Sequence, residues 1–252
     1  MVIHSYGFFA VSGIVVGIYL AVKTGRAHGV PAPGIVETGL FMAILGVAGA
    51  RLAYVVVNMS FFLSHPAEIF KVWKGGLIFS GGILLVVPAL VFYLKHHQLP
   101  FWKTADLWAP SLAIGEGIGR IGCFMAGCCY GKPTEAMWGV VFSNPDSLAP
   151  LNVPLHPTQI YSFLADLLIF GVLMVLHGKK HYEGQVFLWY LILHSISGLY
   201  IERFRGDFRT TIPGTEMTVT QLLALLILIA AVGVLMIRKP GTPPQEPNNN
   251  CP

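Results

Sequence analysis

A chain of 252 residues that is 54% hydrophobic and only 11% charged, with a mean hydropathy of +0.67, cannot coat a 27.4 kDa globule in solvated side chains. That balance excludes soluble, secreted and intrinsically disordered classes and leaves an integral membrane protein. The net charge of +4 is what short basic loops beside an anionic leaflet leave, so no nucleic-acid partner is expected, and four cysteines do not make a disulfide framework.

A helix needs about 20 mostly apolar residues to cross a bilayer, and seven stretches qualify in chain order: Tyr6–Val22, Ile35–Met59, Gly76–Leu94, Trp108–Cys129, Thr158–His177, Gln185–Ile201 and Thr218–Ile237. The expected fold is all-α, a single bundle of seven transmembrane helices spanning residues 1–240. The first stretch lacks a basic n-region and a small-residue cleavage site, so it is expected to stay as an anchor. Gly75, Gly76, Gly81, Gly82, Gly115, Gly117, Gly119, Gly122 and Gly127 crowd the third and fourth stretches, where kinked or re-entrant backbone is expected. Residues 130–157 carry five prolines, too long a connection to be a plain loop, and are expected to form an extramembrane cap. Connections on the side of the C-terminus hold eight Lys and Arg against six on the other side, which predicts an outside N-terminus and a cytoplasmic C-terminus. Residues 241–252, rich in Pro and Asn, read as a disordered cytoplasmic tail.

Charges at membrane depth mark function by default; here they are Glu37, Arg51, Glu116, Arg120, Asp166 and Glu202. Glu116 and Arg120 are four apart with the acid first, which makes either a structural bridge or a poised guanidinium among glycines. Arg51 has the same choice between anchoring its helix and holding an anionic headgroup. His156, Gln159 and Tyr161 open the fifth stretch, where they read either as a simple helix start or as ligands for glycerol hydroxyls. His194 and Asp166 read as hydrogen-bond partners inside the bundle. Cys123, Cys128 and Cys129 are either small fillers or working thiols, and with His156 they match no paired zinc spacing, so no metal is expected. Adjacent cysteines do not readily bridge each other.

In order, Ser5-Tyr6-Gly7, Gly49-Ala50-Arg51-Leu52-Ala53-Tyr54, Gly75-Gly76-Leu77-Ile78-Phe79-Ser80-Gly81-Gly82, the run from Gly119 through Arg120, Gly122, Cys123, Phe124, Gly127 and Cys128 to Gly131, His156-Pro157-Thr158-Gln159-Ile160-Tyr161, and Tyr200-Ile201-Glu202-Arg203-Phe204-Arg205-Gly206-Asp207 resemble the motifs of the prolipoprotein diacylglyceryl transferase family. The resemblance covers nearly the whole chain apart from the tail. It implies a multi-pass enzyme of the bacterial inner membrane that needs no cofactor. Its reaction moves the diacylglyceryl group of phosphatidylglycerol to the lipobox cysteine thiol of a precursor protein and releases glycerol phosphate. Ser80 stands where the family has its motif histidine, Cys123 and Cys128 where it has the signature Asn and Glu, and Gly198-Leu199 where it has a later Arg-Phe pair.

Carried over, the resemblance makes Arg120, Cys128 and Glu202 the expected catalytic residues. Tyr6, Arg51, Ser80, Gly81, Gly82, Cys123, His156, Gln159 and Arg205 are expected to bind substrate. Arg120, Arg51 and Arg205 would clamp the phosphate, Glu202 would organise the arginines, and Tyr6 and Gln159 would position the glycerol. Two alternatives stay open: a different thiol or redox reaction at Cys128 and Cys129, and a phospholipid-binding protein without catalysis.

Overall fold

The computed structural model describes residues 2–27, 29–72, 75–209 and 211–238; the tail and Cys251 lie outside them. Eight α-helices appear among these residues: α1 Val2–Ala27, α2 Ala32–Val57, α3 Met59–Ser64, α4 Phe79–His96, α5 Phe101–Ala126, α6 Thr158–His177, α7 Gln185–Glu202 and α8 Val219–Ile237. Four of them (α1, α2, α6 and α8) are long and apolar enough to cross a membrane by length and composition. Helix α4 is similarly apolar but shorter. Helix α5 interrupts its apolar surface with Lys103, Asp106, Glu116 and Arg120, while α7 has 18 residues and carries His194 and Glu202. Outward faces present large apolar side chains such as Phe8, Leu84 and Leu168, each at least 68% exposed, which is tolerable in lipid and costly in water.

Local chemistry explains most of the boundaries. Pro31 and Pro100 precede α2 and α5, and Pro157 precedes α6, where a missing N–H costs nothing. Thr218 and Gln221 form a reciprocal capping box at the start of α8. Short α3 and a 3-10 turn at Pro66–Phe70, neither expected from the sequence, fill the connection from α2 to α4.

Glycines set the packing without breaking the helices. Helix α5 is continuous through Gly115, Gly117, Gly119 and Gly122, and α4 through Gly81 and Gly82, while Gly75, Gly76 and Gly127 take positive φ in the irregular backbone beside them. The helical glycines let helices touch. A methyl on Gly17 would stand 3.2 Å from the Ser111 carbonyl oxygen and one on Gly122 would stand 3.0 Å from Phe9 Cβ, which makes α1 and α5 antiparallel neighbours. A methyl on Gly49 would stand 2.6 Å from the Gly81 carbonyl oxygen, and one on Gly82 2.8 Å from that of Gly46, which pairs α2 with α4.

Three apolar clusters join the bundle. Ala21, Ile35, Leu107 and Trp108 bind α1, α2 and α5; Ala109, Ala113, Ile169, Leu173, Val186 and Tyr190 bind α5, α6 and α7; Leu188, Ile192 and Ala231 bind α7 and α8. Fully buried Asp106 fastens one end: it accepts from Lys180 Nζ at 3.0 Å and from the backbone N–H groups of Gly184 at 2.8 Å and Phe187 at 2.9 Å, at the start of α7. Arg238 stacks over Trp102 at the same end, 4.0 Å from the ring centroid.

The cap is tied down at the opposite end. Strands β1 Val140–Val141 and β2 Pro154–Leu155 pair antiparallel, Val140 opposite Leu155. Gly131 pairs with Arg205, and the N–H of Gly206 donates to the Tyr130 carbonyl at 3.0 Å, so the cap and the α7–α8 connection share one short ladder.

Candidate active site

Because α1, α5, α6 and α7 alternate in direction, the N-termini of α1 and α6 and the C-termini of α5 and α7 meet at the cap end. Most of the expected site residues are there. Arg120, on the last turns of α5, pairs through Nη2 with Glu116 Oε1 at 2.5 Å, while its buried Nε has no hydrogen-bond partner among the described residues. Glu116 in turn lies 3.7 Å from His194 Nδ1 on α7, and that nitrogen lies 3.8 Å from Asp166 on α6. A methyl on Gly117 would stand 3.2 Å from Asp166 Cβ, so the bare backbone of Gly117 is what lets α6 bring that carboxylate in. The result is an acid–guanidinium–acid–imidazole group drawn from three helices, which joins the expected Glu116–Arg120 bridge to the expected interior partners Asp166 and His194.

Helix α5 ends in a tight reversal. Gly127 takes a left-handed φ of 72°, Cys128 N–H returns to the Cys123 carbonyl at 3.1 Å and Gly127 N–H to that of Phe124 at 3.1 Å, a Schellman closure. Cys129 is left-handed as well, at φ 59°, a conformation uncommon for a residue with a side chain. These two turns fold Cys128 and Cys129 back over Cys123, and the three sulfurs lie within 4.8 Å of one another. The chain is held there by α6: Thr158 Oγ1 donates to the Cys129 carbonyl and Gln159 Nε2 to the Cys128 carbonyl, each at 2.7 Å. Gln159 is 1% exposed, and its Oε1 is left without a partner. Tyr6 on α1 and Arg120 lie in electrostatic range of these cysteines, and Arg205 in range of Cys129.

Other expected residues are placed differently. Arg51 does not reach toward a headgroup: its five N–H donors meet five backbone carbonyls, those of Ile69 (2.8 Å), Gly75 (2.7 Å), Gly76 (3.0 Å), Glu68 (2.5 Å) and Lys71 (3.5 Å). Tyr54 and Phe62 flank the same guanidinium. It is a staple for the α2–α4 connection, with no donor left for a phosphate. Gly81 and Gly82 are likewise occupied, packed on α2 instead of lining a cavity, while Ser80 beside them is exposed.

Glu202 does not organise Arg120 or Arg205. It accepts from Thr218 Oγ1 at 3.1 Å and faces Arg209 Nε at 3.9 Å. Arg205 is held in two-point fashion by Asp207, two residues further along the chain, at 2.8 and 3.0 Å. His156 Nδ1 meets Tyr161 Oη at 3.1 Å, and Trp138 Nε1 from the cap donates to the same oxygen at 2.8 Å.

The sequence model described as prolipoprotein diacylglyceryl transferase matches residues 1–237. The chain is 34% identical over 235 residues to the phosphatidylglycerol–prolipoprotein diacylglyceryl transferase of Clostridium tetani (strain Massachusetts / E88), covering 93% of each. It is 32% identical over 238 residues to a protein of the same name, number 2, from Clostridium perfringens (strain 13 / Type A), covering 94% of this chain and 91% of the relative. Against the Trichormus variabilis (strain ATCC 29413 / PCC 7937) protein of that name the identity is 30% over 250 residues, with 96% and 88% covered.

Proposed function

The chain belongs to the prolipoprotein diacylglyceryl transferase family, and from that premise we propose that it moves the diacylglyceryl group of phosphatidylglycerol onto a cysteine thiol of a prolipoprotein. The observation that carries this reading at the level of residues is the meeting of Arg120, Tyr6 and Gln159 at one end of the helices, with a buried Arg120 Nε and a buried Gln159 Oε1 both unpaired. A cationic donor and a neutral acceptor are the two groups a phosphoglycerol headgroup asks for. Glu116 occupies one edge of the Arg120 fork, so the remaining N–H groups are the ones to take a phosphate oxygen.

In the reaction, the thiol sulfur attacks the glyceryl carbon, the bond from that carbon to the phosphate oxygen breaks, and glycerol phosphate leaves with the electron pair. Charge grows on the departing phosphate, and Arg120 is positioned to meet it in a low-dielectric setting. Arg205, braced by Asp207, adds a second positive charge at the mouth. Ser80 and Cys128 cannot act as the histidine and glutamate of the family motifs do, so this member relies on other groups to take the thiol proton. The seven long helices are read as seven crossings of the bacterial inner membrane, with residues 1–240 as one domain. The cap end then faces outward and the Arg238 end the cytoplasm. The test is transfer of label from phosphatidylglycerol to a lipobox peptide by the purified chain. A peptide with Ser in place of the lipobox Cys should remain unlabelled, and absence of transfer to either peptide sinks the reading.

A further inference from the structure

Among the described residues, two groups of side chains are compact enough to hold a metal ion: Glu116, Asp166 and His194, and the thiols of Cys123, Cys128 and Cys129. The first already contains its cation, because Arg120 sits 2.5 Å from Glu116. The second contains three soft donors and no counter-ion among them. Tetrahedral zinc with Zn–S bonds of about 2.3 Å places its sulfurs about 3.8 Å apart, and the three sulfurs here lie within 4.8 Å of one another before any ion draws them in. They are also pre-positioned: the backbone carbonyls of Cys128 and Cys129 are each fastened to α6, and Cys128 and Cys129, as neighbours in sequence, are poorly placed to consume each other as a disulfide. Three thiolates on a divalent ion carry a net charge of −1, and the cations in electrostatic range of it, Arg120 and Arg205, are each already paired with a carboxylate and so moderate that charge without cancelling it. No fourth Cys, His, Asp or Glu among the described residues joins the group, so one coordination position is left for something else.

We propose that Cys123, Cys128 and Cys129 bind a soft d10 cation, zinc being the reference, and that its remaining position takes the acceptor thiol and deprotonates it. The proposal rests on the transferase reading for its acceptor and supplies what that reading lacks, a means of making the thiolate where the family's histidine is Ser80. A thiol bound to such an ion is deprotonated outright. A free thiol of pKa about 8.5 is only about 3% thiolate at pH 7. The balance is complete without a redox partner. The acceptor S–H gives up its proton on coordination, its sulfur pair forms the new S–C bond, the C–O bond to phosphate breaks, and the departing glycerol phosphate takes the proton up.

The test uses the full chain in detergent, reduced, stripped with a chelator and titrated with Co(II). One equivalent should bind with a thiolate-to-cobalt charge-transfer band and tetrahedral d–d bands. A lipobox peptide should shift the d–d bands, and its Cys→Ser form should not. Cys129→Ser should weaken Co(II) binding at least tenfold, and the stripped and reloaded parent gives the same comparison without a substitution. With labelled phosphatidylglycerol, stripping should slow transfer about tenfold at pH 7 and make it climb with pH toward the free-thiol pKa, while the zinc-loaded chain stays nearly flat. No Co(II) binding, a spectrum indifferent to the peptide thiol, or a mass showing Cys123 oxidised to one of its neighbours in the active chain overturns the proposal. Transfer unchanged by stripping overturns it too, yet leaves the transferase reading standing. A peptide-shifted cobalt spectrum without any transfer supports the thiol site and sinks the transferase reading instead.

Discussion

Replacing Arg51 separates a staple from a phosphate ligand. Its five donors meet five backbone carbonyls between residues 68 and 76, and two aromatic rings flank it. A hydrogen bond involving a charged group contributes about 1.5–3 kcal/mol net, but five bonds from one group are not additive, and part of the loop rewets when the guanidinium goes. A loss of about 3 kcal/mol for Arg51→Ala is therefore expected, at the low end for removing one member of a buried charged set. For a domain of this size each kcal/mol moves the thermal midpoint about 2–4 °C, so Ala should lower it by about 6–12 °C. Arg51→Lys keeps the charge and reaches two or three of the acceptors, and should fall about midway. The assay is thermal unfolding in detergent by intrinsic fluorescence, paired with the lipid dependence of transfer per folded molecule. An unchanged midpoint together with a large rise in the apparent KM for phosphatidylglycerol would make Arg51 a headgroup ligand and refute the argument.

Arg120→Ala should cut transfer about 10²–10³-fold, with Arg120→Lys recovering little because an ammonium lacks the fork; full activity of the Lys variant in the labelled-lipid assay removes the clamp. Asp106→Ala should cost about 3–5 kcal/mol by stranding Lys180 and two N–H groups, seen as a lowered thermal midpoint, whereas transfer by the molecules still folded is unchanged. A methyl at Gly49 must displace the Gly81 backbone, so Gly49→Ala should destabilise by about 1–3 kcal/mol; an unaltered midpoint would mean that α2 and α4 part freely. In intact cells an impermeant thiol reagent should label Met137→Cys, whose residue is 98% exposed in the cap, and should label His181→Cys only after permeabilisation; the reverse pattern inverts the orientation.

Helix positions were largely legible because apolar runs and prolines mark them. The Thr158–His177 stretch coincides with α6, which follows Pro157. The start of α5 was placed at Trp108 instead of Phe101, since Lys103 and Asp106 read as loop, although Asp106 is buried and neutralised by Lys180. Arg51 stayed open between anchor and headgroup ligand for a similar reason: its partners are carbonyls, which every residue has, so no side-chain pattern announces them. Glycines at 81 and 82 suggested a ligand because a motif can record helix contact as readily as binding. The cysteines match no paired metal spacing because spacing rules assume a known turn between ligands, and here a left-handed Gly127 followed by a left-handed Cys129 supplies another. His194 read only as an interior hydrogen-bond partner; its approach to Glu116, 78 residues away in sequence, comes from the packing of α5 with α7 and no local pattern marks it.

The ladder that joins Tyr130 and Gly131 to Arg205 and Gly206 also bears on biosynthesis. Its two sides are separated by about seventy-five residues of chain, so a ribosome must deliver α6 and α7 to the membrane before this ladder can form, although the cap's own pairing of residues 131–141 with 154–156 needs neither helix. Until then the carbonyl of Tyr130 and the N–H of Lys132, which donates to Phe204, remain hydrated. The nascent chain therefore carries Arg120 and the thiols in a half-built mouth, open to solvent and lacking Arg205. Maturation of the centre is coupled to insertion of the late helices, which bring Arg205 to it.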